Sequence, residues 1–248
     1  MAKPTYKDLL DAGVHFGHMR RKWNPKMAPY IFMERKGIHI IDLNRTLESL
    51  DRAANAMRSI ARSGKKILFV ATKKQAREIV ANAAQSVGMP YVTDRWLGGM
   101  LTNFATIKRS VRKMQNIERM LTGDAGQAMT KKEKLTLERE RQKLMKVLSG
   151  IENMGRLPAA IFVVDIVHEH IAIAEANKLG LRTIAMVDTN SDPTLVDFPI
   201  PANDDASKSV AIIVNYLAEA VKEGLQEREK NKEMEKAAAD EEKPATEE

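Results

Sequence analysis

The chain has 248 residues, of which 44% are hydrophobic, and it contains no cysteine. A chain of this length and composition can bury one sizeable core, while the lack of cysteine excludes disulfides and thiolate zinc sites and fits a reducing compartment. The formal net charge is +7, even though residues 224–248 hold nine acidic and five basic side chains. Residues 1–223 are therefore more basic than the total indicates, which favours a polyanionic partner such as nucleic acid.

Targeting and membrane signals are not visible in the sequence. The N-terminal region has no continuous apolar stretch of the kind found in secretory signals. The best candidate for a membrane span, Ala159 to Val164, is far too short and ends at Asp165. We therefore expect a cytoplasmic protein with no membrane partner.

Four short apolar runs rich in β-branched residues are predicted to be buried strands, and helical patterns separate them. The runs are residues 38–41, 67–71, 160–164 and 183–187. We expect Thr72 to cap the helix after the second run, and Gly88 and Gly180 to end the helices after the second and third. Continuous apolar strands separated by helices indicate a parallel sheet covered on both faces. The core is therefore predicted to be a doubly wound α/β domain.

The strand signal disappears between Phe104 and Gly155. Two apolar stripes at helical spacing occupy this region, namely Ile107, Val111, Met114 and Leu121, and then Leu137, Leu144, Leu148 and Ile151. Gly123 and Gly126 indicate a turn between the stripes, and Arg141 interrupts the second one. We predict an inserted coiled-coil hairpin that projects as an arm; a two-helix element packed against the domain is the alternative.

These patterns divide the chain into three parts. Residues 1–103 and 156–223 are predicted to form the α/β domain, and residues 104–155 the inserted helical hairpin arm. Residues 224–248 combine low hydrophobicity with dense mixed charge, which predicts a frayed helix passing into a disordered tail with no role in the fold.

The segment from Asp94 to Phe104, DRWLGGMLTNF, places a cation, an indole and paired glycines just before a basic helix. Glycines let a ligand approach the backbone closely, and free N–H groups at a helix start attract phosphate. Further cations follow at helical spacing, at Lys108, Arg109, Arg112 and Lys113. The segment therefore predicts a phosphate-binding surface, and a glycine turn leading into a solvated basic helix is the alternative.

Catalytic and nucleotide-binding motifs are missing where a doubly wound sheet would hold them. No G-x-G-x-x-G follows a strand, and Gly64-Lys65-Lys66 precedes its strand and has lysine where a P-loop needs serine or threonine. His168-Glu169-His170 lacks the H-E-x-x-H spacing of zinc proteases, and no G-x-S-x-G occurs. We therefore expect a protein that is not an enzyme.

Acidic residues gather after the last predicted strand, at Asp188, and further on at Asp204 and Asp205. Such oxygen donors at the carboxyl end of a sheet can hold a hydrated magnesium ion. Aspartate also serves as a turn and helix-cap residue, and structural capping is the favoured interpretation. No cofactor is then required, with a structural magnesium ion as the alternative.

Seven segments carry a resemblance to a known family, in order from about residue 8 to residue 220. They are residues 10–18 (LDAGVHFGH), 23–27 (WNPKM), 72–76 (TKKQA), 95–103 (RWLGGMLTN), 162–165 (FVVD), 187–193 (VDTNSDP) and 200–206 (IPANDDA). Together they resemble bacterial small-subunit ribosomal protein two. Ala202 and the pair Ala159-Ala160 depart from the family's usual residues.

The resemblance implies a flavodoxin-like α/β domain with a protruding helical hairpin, and a structural role in the small ribosomal subunit. It also implies binding to small-subunit ribosomal RNA and help in docking the large messenger-binding ribosomal protein. Small-subunit proteins three and five are implied neighbours, and the implied location is the ribosome in the cytoplasm.

Basic clusters supply the predicted RNA contacts, chiefly to phosphates, which position a protein without reading sequence. Trp23 is predicted to stack on a base or pack on a neighbour, whereas Trp96 is expected in the core because Leu97 and Met100 flank it. The predicted RNA-binding residues are Arg20, Arg21, Lys22, Trp23, Lys26, Lys73, Lys74, Arg95, Asn103, Lys108, Arg109, Arg112 and Lys113.

Two other functions remain open from the sequence. A degenerate nucleotide-binding regulator would use the sheet and Asp188, and saturable nucleotide binding by the isolated protein would identify it. A free RNA chaperone would use the basic surface, and it would not co-sediment stoichiometrically with ribosomal subunits.

Overall fold

The computed structural model of the protein describes residues 3–123 and 129–241. The strands are β1 (Phe16–Met19), β2 (Ile31–Arg35), β3 (Ile38–Ile41), β4 (Ile67–Val70), β5 (Tyr91–Val92), β6 (Ala160–Val164), β7 (Arg182–Val187) and β8 (Phe198–Pro201). The α-helices are α1 (Tyr6–Asp11), α2 (Leu43–Arg62), α3 (Arg77–Ser86), α4 (Phe104–Thr122), α5 (Lys131–Leu148), α6 (His170–Lys178) and α7 (Ser207–Glu241). Short 3-10 helices occupy Arg20–Lys22, Pro25–Tyr30, Ser149–Ile151 and Pro193–Leu195.

A five-stranded parallel sheet in the order β5-β4-β6-β7-β8 forms the centre of the protein. Every residue of β4 and β6 is buried, because helices cover both faces of the sheet. Phe69 and Phe162 point into a core shared with α2, α3 and α7. Their neighbours Leu68 and Ile161 point into a second core shared with α4 and α6. This arrangement confirms the predicted doubly wound α/β fold.

A second sheet is antiparallel and three-stranded, in the order β1-β3-β2, and it was not predicted. The assignment of residues 38–41 to the parallel sheet as a buried strand is wrong, because they form β3 in the middle of this second sheet and only two of the four are buried. The edge strands β5 and β8 were also missed. Strand β5 has only two residues, and β8 contains Pro199 and Pro201, which are tolerated because β8 pairs with β7 alone. The capping role predicted for Thr72 is wrong, because α3 begins at Arg77 and Thr72 donates to Glu169 instead.

Helices α4 and α5 are inserted between β5 and β6 and pack against each other. Near the domain, Ile107, Val111 and Leu148 are fully buried in the second core. Further along α4, Met114 and Ile117 are also buried, whereas Leu137 and Leu144 of α5 are only half-buried. Gly123 ends α4, whereas the predicted turn residue Gly126 lies outside the described residues. The coiled-coil and projecting character of the pair stays a prediction.

Helix α7 continues past the predicted domain boundary at residue 224 as far as Glu241. Gly224 lies against α2 so closely that a Cβ there would lie 2.4 Å from the carbonyl oxygen of Arg58. Leu225 packs on the core, and Glu227 pairs with Arg62 at 3.6 Å. The first turn of the predicted tail, from residue 224 to residue 227, therefore packs against α2 and takes part in the fold. The disorder predicted for residues 242–248 lies outside the described residues.

Within the parts of the chain that the structure describes, no helix is long and apolar enough to cross a membrane.

We predict that the outer part of the α4–α5 pair is locally less stable than the sheet, because Ile117 is the only buried side chain in residues 115–122 and 131–142. Hydrogen exchange of the free protein should show weaker protection for amides in residues 115–122 and 131–142 than for those in β4 and β6. Equal protection in the two regions would contradict this expectation and the projecting arm with it.

Candidate nucleic-acid interface

The glycine-rich turn before α4 binds an anion, but that anion is a side chain of the protein itself. Glu175 of α6 accepts hydrogen bonds from the backbone N–H groups of Gly99, Leu101 and Thr102 at 2.7 to 3.0 Å. The Trp96 indole N–H and the Thr102 hydroxyl also donate to it, at 3.1 and 3.0 Å. The buried carboxylate of Glu175 thus accepts five hydrogen bonds.

The environment keeps the Glu175 carboxylate charged. Burial raises the pKa of Glu175, but the hydrogen bonds from Thr102, Gly99, Leu101 and Trp96 outweigh burial, and the pKa lies below its ordinary value. The prediction that these N–H groups face an external phosphate is therefore wrong. Trp96 is buried, as expected for a core residue.

Glu175 was not among the predicted site residues, although the sequence contains a signal for it. Glu175 lies on the buried face of α6 together with Ala172 and Ala176. Ala172 precedes it by three residues, and Ala176 follows it directly. A lone acid at helical spacing within an apolar face must have a partner, because an unpaired buried charge is very unfavourable.

Lys73, predicted to bind RNA, lies at the centre of an ion cluster in which Asp165 and Asp204 are buried and Asp205 is exposed. Its ammonium lies 2.9 Å from Asp165, 2.6 Å from Asp204 and 2.7 Å from Asp205. Burial alone would lower the pKa of Lys73, but the three carboxylates raise it well above its ordinary value. We call these four residues the lysine cluster. Because its charge is neutralised within the protein, Lys73 is not a free cation for RNA.

The lysine cluster joins the ends of three strands. Lys73 follows β4, Asp165 follows β6, and Asp204 with Asp205 follows β8, so parallel strands bring them to one edge, the carboxyl edge. Asp165 has a positive φ of 67°, a conformation rarely adopted by residues other than glycine. One oxygen of Asp165 contacts Lys73, and the other accepts hydrogen bonds from the N–H groups of Val167 and His168. These contacts stabilise the unusual backbone conformation.

The acidic residues considered for magnesium are bound by side-chain cations and backbone donors. Asp188 accepts from Thr189 and lies 3.0 Å from His18, while Asp204 and Asp205 bind Lys73. Among the described residues, no group of three or more acids and histidines is arranged to hold a metal ion. The favoured capping role is also wrong for Asp204, because Asn203 accepts from the N–H groups that precede α7.

Asp204 is the most perturbed acid of the carboxyl edge. It is completely buried, and one of its oxygens finds no hydrogen-bond partner among the described residues. Burial and the Asp165 and Asp188 carboxylates raise the pKa of Asp204 to about 7, although Lys73 opposes the shift.

The N-terminal segment is fastened over the carboxyl edge near β7. Gly17 passes so close to Thr189 that a Cβ at residue 17 would lie 2.5 Å from the threonine methyl group. The His18 N–H donates to the Thr189 hydroxyl at 2.8 Å, and the Asn24 N–H donates to the Thr189 carbonyl at 2.8 Å. The cations of residues 20–26 are therefore held at a defined place above the sheet.

The remaining predicted RNA-binding cations fall into three groups. Three exposed ones form surface ion pairs, Arg20 with Glu34, Lys26 with Asp192 and Lys113 with Glu140, and such pairs are weak. Lys108 donates to the Gly155 carbonyl and lies over the Phe104 ring. Within the described chain, no hydrogen bond or ion pair holds the side chains of Arg21, Lys22, Lys74, Arg95, Arg109 and Arg112. We call these six the free cations.

Two further predicted contacts have uncharged side chains. Trp23 is partly exposed and its ring meets His39 edge-on, with 5.0 Å between the ring centroids. Asn103 is exposed at the start of α4, and its side chain makes no capping bond. Both are accessible to a partner.

Comparisons with known proteins give a consistent match over most of the chain. A family model described as "Ribosomal protein S2" matches residues 9–224. The "Small ribosomal subunit protein uS2" of Cytophaga hutchinsonii is 61% identical over 240 residues, covering 97% of this chain and 94% of its own length. The proteins of the same name from Parabacteroides distasonis and Amoebophilus asiaticus are 56% and 57% identical, covering 94% and 92% of this chain and 84% and 73% of their own lengths.

We predict that Glu175→Gln destabilises the protein by about 2–4 kcal/mol, because an amide cannot accept from all five donors. The pKa of Glu175 in the folded protein lies below its ordinary value of 4.5. The stability that its carboxylate contributes is therefore fully present above pH 4.5, and it is lost as the pH falls through the pKa of the folded state. Urea denaturation should therefore show the gap between variant and wild type narrowing on acidification. Glu229→Gln, at an exposed site, is the control and should show no gap. A pH-independent gap would contradict this account.

We predict that Lys73→Met destabilises the protein by about 3–5 kcal/mol, because it leaves buried carboxylates without their cation. Acidification should reduce the deficit, since the pKa of Asp204 is raised and its protonation removes one of the buried charges that Lys73 would otherwise neutralise. Thermal and urea unfolding measure both effects. Lys74→Met is the matched control at the adjacent, exposed position, and it should change stability by no more than about 0.5 kcal/mol. Equal effects of the two substitutions would rule out the central role of Lys73.

Proposed function

The chain belongs to the ribosomal protein S2 family, and from this premise we propose that it binds small-subunit ribosomal RNA through its free cations. Family membership makes it a component of the small ribosomal subunit with a structural role in translation. The resemblance found in the sequence and the ribosomal location are thereby confirmed. Its relatives are structural proteins of the ribosome, in agreement with the expectation that it is not an enzyme.

The free cations carry the proposal. RNA binding by phosphate contact releases counterions, and a cation already paired within the protein contributes less to that release. Arg21 and Lys22 lie above the carboxyl edge, Arg95 follows β5, and Arg109 and Arg112 lie exposed on α4. We place Arg20, Lys26 and Lys113 in the same surface, because their exposed ion pairs open at little cost.

Uncharged groups supplement these contacts in the proposed surface. The exposed part of Trp23 offers a ring on which an unpaired base can stack. Asn103 can donate to phosphate or ribose oxygens beside Arg109 and Arg112. Lys108 contributes at the rim of this surface, while Lys73 acts within the protein.

Protein neighbours are the second part of the proposal. We propose that the protein helps to dock the large messenger-binding ribosomal protein and contacts small-subunit proteins three and five, as the family resemblance implies. Exposed apolar side chains on the small sheet, including Phe16, Phe32 and Met33, support a protein contact. Phe32 is 70% exposed, which is unusual for a phenylalanine without a partner.

No cofactor is proposed. Lys73 and His18 already supply positive charge to the acidic residues of the carboxyl edge, which supports their structural role over the magnesium alternative.

We predict that Arg21→Ala, Arg109→Ala and Arg112→Ala each reduce the salt slope of RNA affinity by about 0.9 on duplex RNA or about 0.7 on single strands. Affinity should fall by a similar factor for unrelated RNA sequences, because phosphate contacts do not read bases. Filter binding at several salt concentrations measures both quantities.

Lys230→Ala and Lys232→Ala serve as matched controls for charge removal. Both residues are exposed on α7, where the surrounding sequence is acidic, so the slope should hardly change. Tail variants that lose as much slope as the arginine variants would refute the proposed RNA surface, while the ribosomal assignment would stand.

A further inference from the structure

The structure contains an open cleft of about 440 Å³ at the carboxyl edge, between the ends of β5, β4 and β6. Arg77, Arg95, Lys146 and Trp96 line it, together with Ile171 at the start of α6. The chain passes from β4 to β5 on one side and then crosses to β6 on the other, so the cleft lies where the strand order reverses. Ligands of doubly wound sheets bind at such reversal points.

The accessible charge of the cleft is positive. Asp94 lies 3.3 Å from Arg77 and 3.7 Å from Lys146, so one carboxylate is shared by two cations. Arg95 adds a third cation, which forms no ion pair within the described chain. Glu169, the other acid of the lining, is buried and accepts from the N–H and hydroxyl of Thr72 at 2.7 and 2.6 Å. The outward-facing charges are therefore those of Arg95 and Lys146.

Two helices add to this field, because α3 and α6 both begin at the carboxyl edge with Arg77 and Glu169 beside the cleft. The positive ends of their dipoles favour an anion there. Ile171, which is 45% exposed, forms an apolar wall of the cleft. Cations beside an apolar wall match a phosphate attached to a ribose and base.

We propose that this cleft binds a phosphate group of single-stranded RNA, with Arg95 and Lys146 as its ligands and Ile171 against the sugar or base. The inference rests on the proposed RNA-binding function and assigns it a specific pocket. Of these residues, sequence analysis had singled out Arg95 alone for RNA.

A free nucleotide would carry the same phosphate chemistry, but the cleft suits a polymer better. The nucleotide-binding loops of doubly wound sheets hold a di- or triphosphate with the backbone N–H groups of a glycine-rich loop. The nearby glycine turn directs its N–H groups at Glu175, so the cleft offers side-chain cations only. Lys146 is 70% exposed at the open mouth, which leaves room for a strand to enter and leave.

The two tryptophans of the chain make a direct test practical. Labelling the full-length protein with 5-fluorotryptophan gives one ¹⁹F resonance for Trp96, which lines the cleft, and one for Trp23 in the N-terminal basic segment. The Trp23→Phe variant assigns the two signals. The probes are a short oligouridylate, inorganic phosphate and ATP, each titrated into the labelled protein and into an Arg95→Ala, Lys146→Ala double variant.

We expect oligouridylate to shift the Trp96 resonance saturably in the wild type. The double variant should lose this shift, and the salt slope of its oligouridylate affinity should fall by about 1.4, since each lost single-strand phosphate contact removes about 0.7. Lys178→Ala with Lys222→Ala removes two exposed charges elsewhere and should preserve both the shift and the slope. Unchanged thermal unfolding of the double variant would show that its fold is intact.

Three results would overturn the inference in distinguishable ways. If oligouridylate binds while the Trp96 resonance stays still, RNA uses another surface, and the proposed function survives without this pocket. If ATP or phosphate shifts the Trp96 resonance at micromolar concentration and oligouridylate does not, the cleft is a small-molecule site. If no RNA binds at any salt concentration, the proposed function fails and the inference fails with it.

Discussion

The lysine cluster is the constraint on which the carboxyl edge depends. A single ammonium group holds carboxylates that follow two other strands, so the ends of β4, β6 and β8 are fixed relative to one another. Breaking the pairs with Asp165 and Asp204 is costly because these two buried carboxylates would be left without a cation and without water. From Asp205 the chain of charges reaches His18, which also lies 3.0 Å from Asp188. The position of His18 is therefore fixed by Asp188, which follows β7, and by Asp205, which follows β8. This contact also fixes the position of the basic residues that come directly after His18.

Glu175 also fixes the position of a surface element, in this case the start of α4. Its carboxylate organises the turn from Gly99 to Thr102 and thereby sets where α4 begins. Arg109 and Arg112 take their places from that helix. Lys73 and the N–H groups of the glycine turn both look suited to an external anion, but carboxylates of the protein itself bind them. The free cations lie elsewhere on the surface. The RNA surface we propose is thus supported by the lysine cluster and by the hydrogen-bonded Glu175 carboxylate, and it includes neither of them.

The fold was largely predictable, because the strands of the parallel sheet are buried on both faces and read as continuous apolar runs. Strand β5 was missed because two residues carry no periodic signal, and β8 because its prolines argue against a strand. The site was predictable only in part. Sequence shows which cations exist, but whether Lys73 is buried and Arg95 free depends on which acids the fold brings near, and those lie far away along the chain.

The prolines of β8 also affect the free protein. The N–H of Ala202 donates to Val187 of β7, and backbone direction alternates along a strand, so the nitrogens of Pro199 and Pro201 face away from the sheet. At these two positions the open side of β8 has no N–H to offer a further strand. An exposed sheet edge invites pairing between copies of a chain, and a proline-blocked edge resists it. Before it joins the ribosomal subunit, the protein is thereby protected against self-association at that edge.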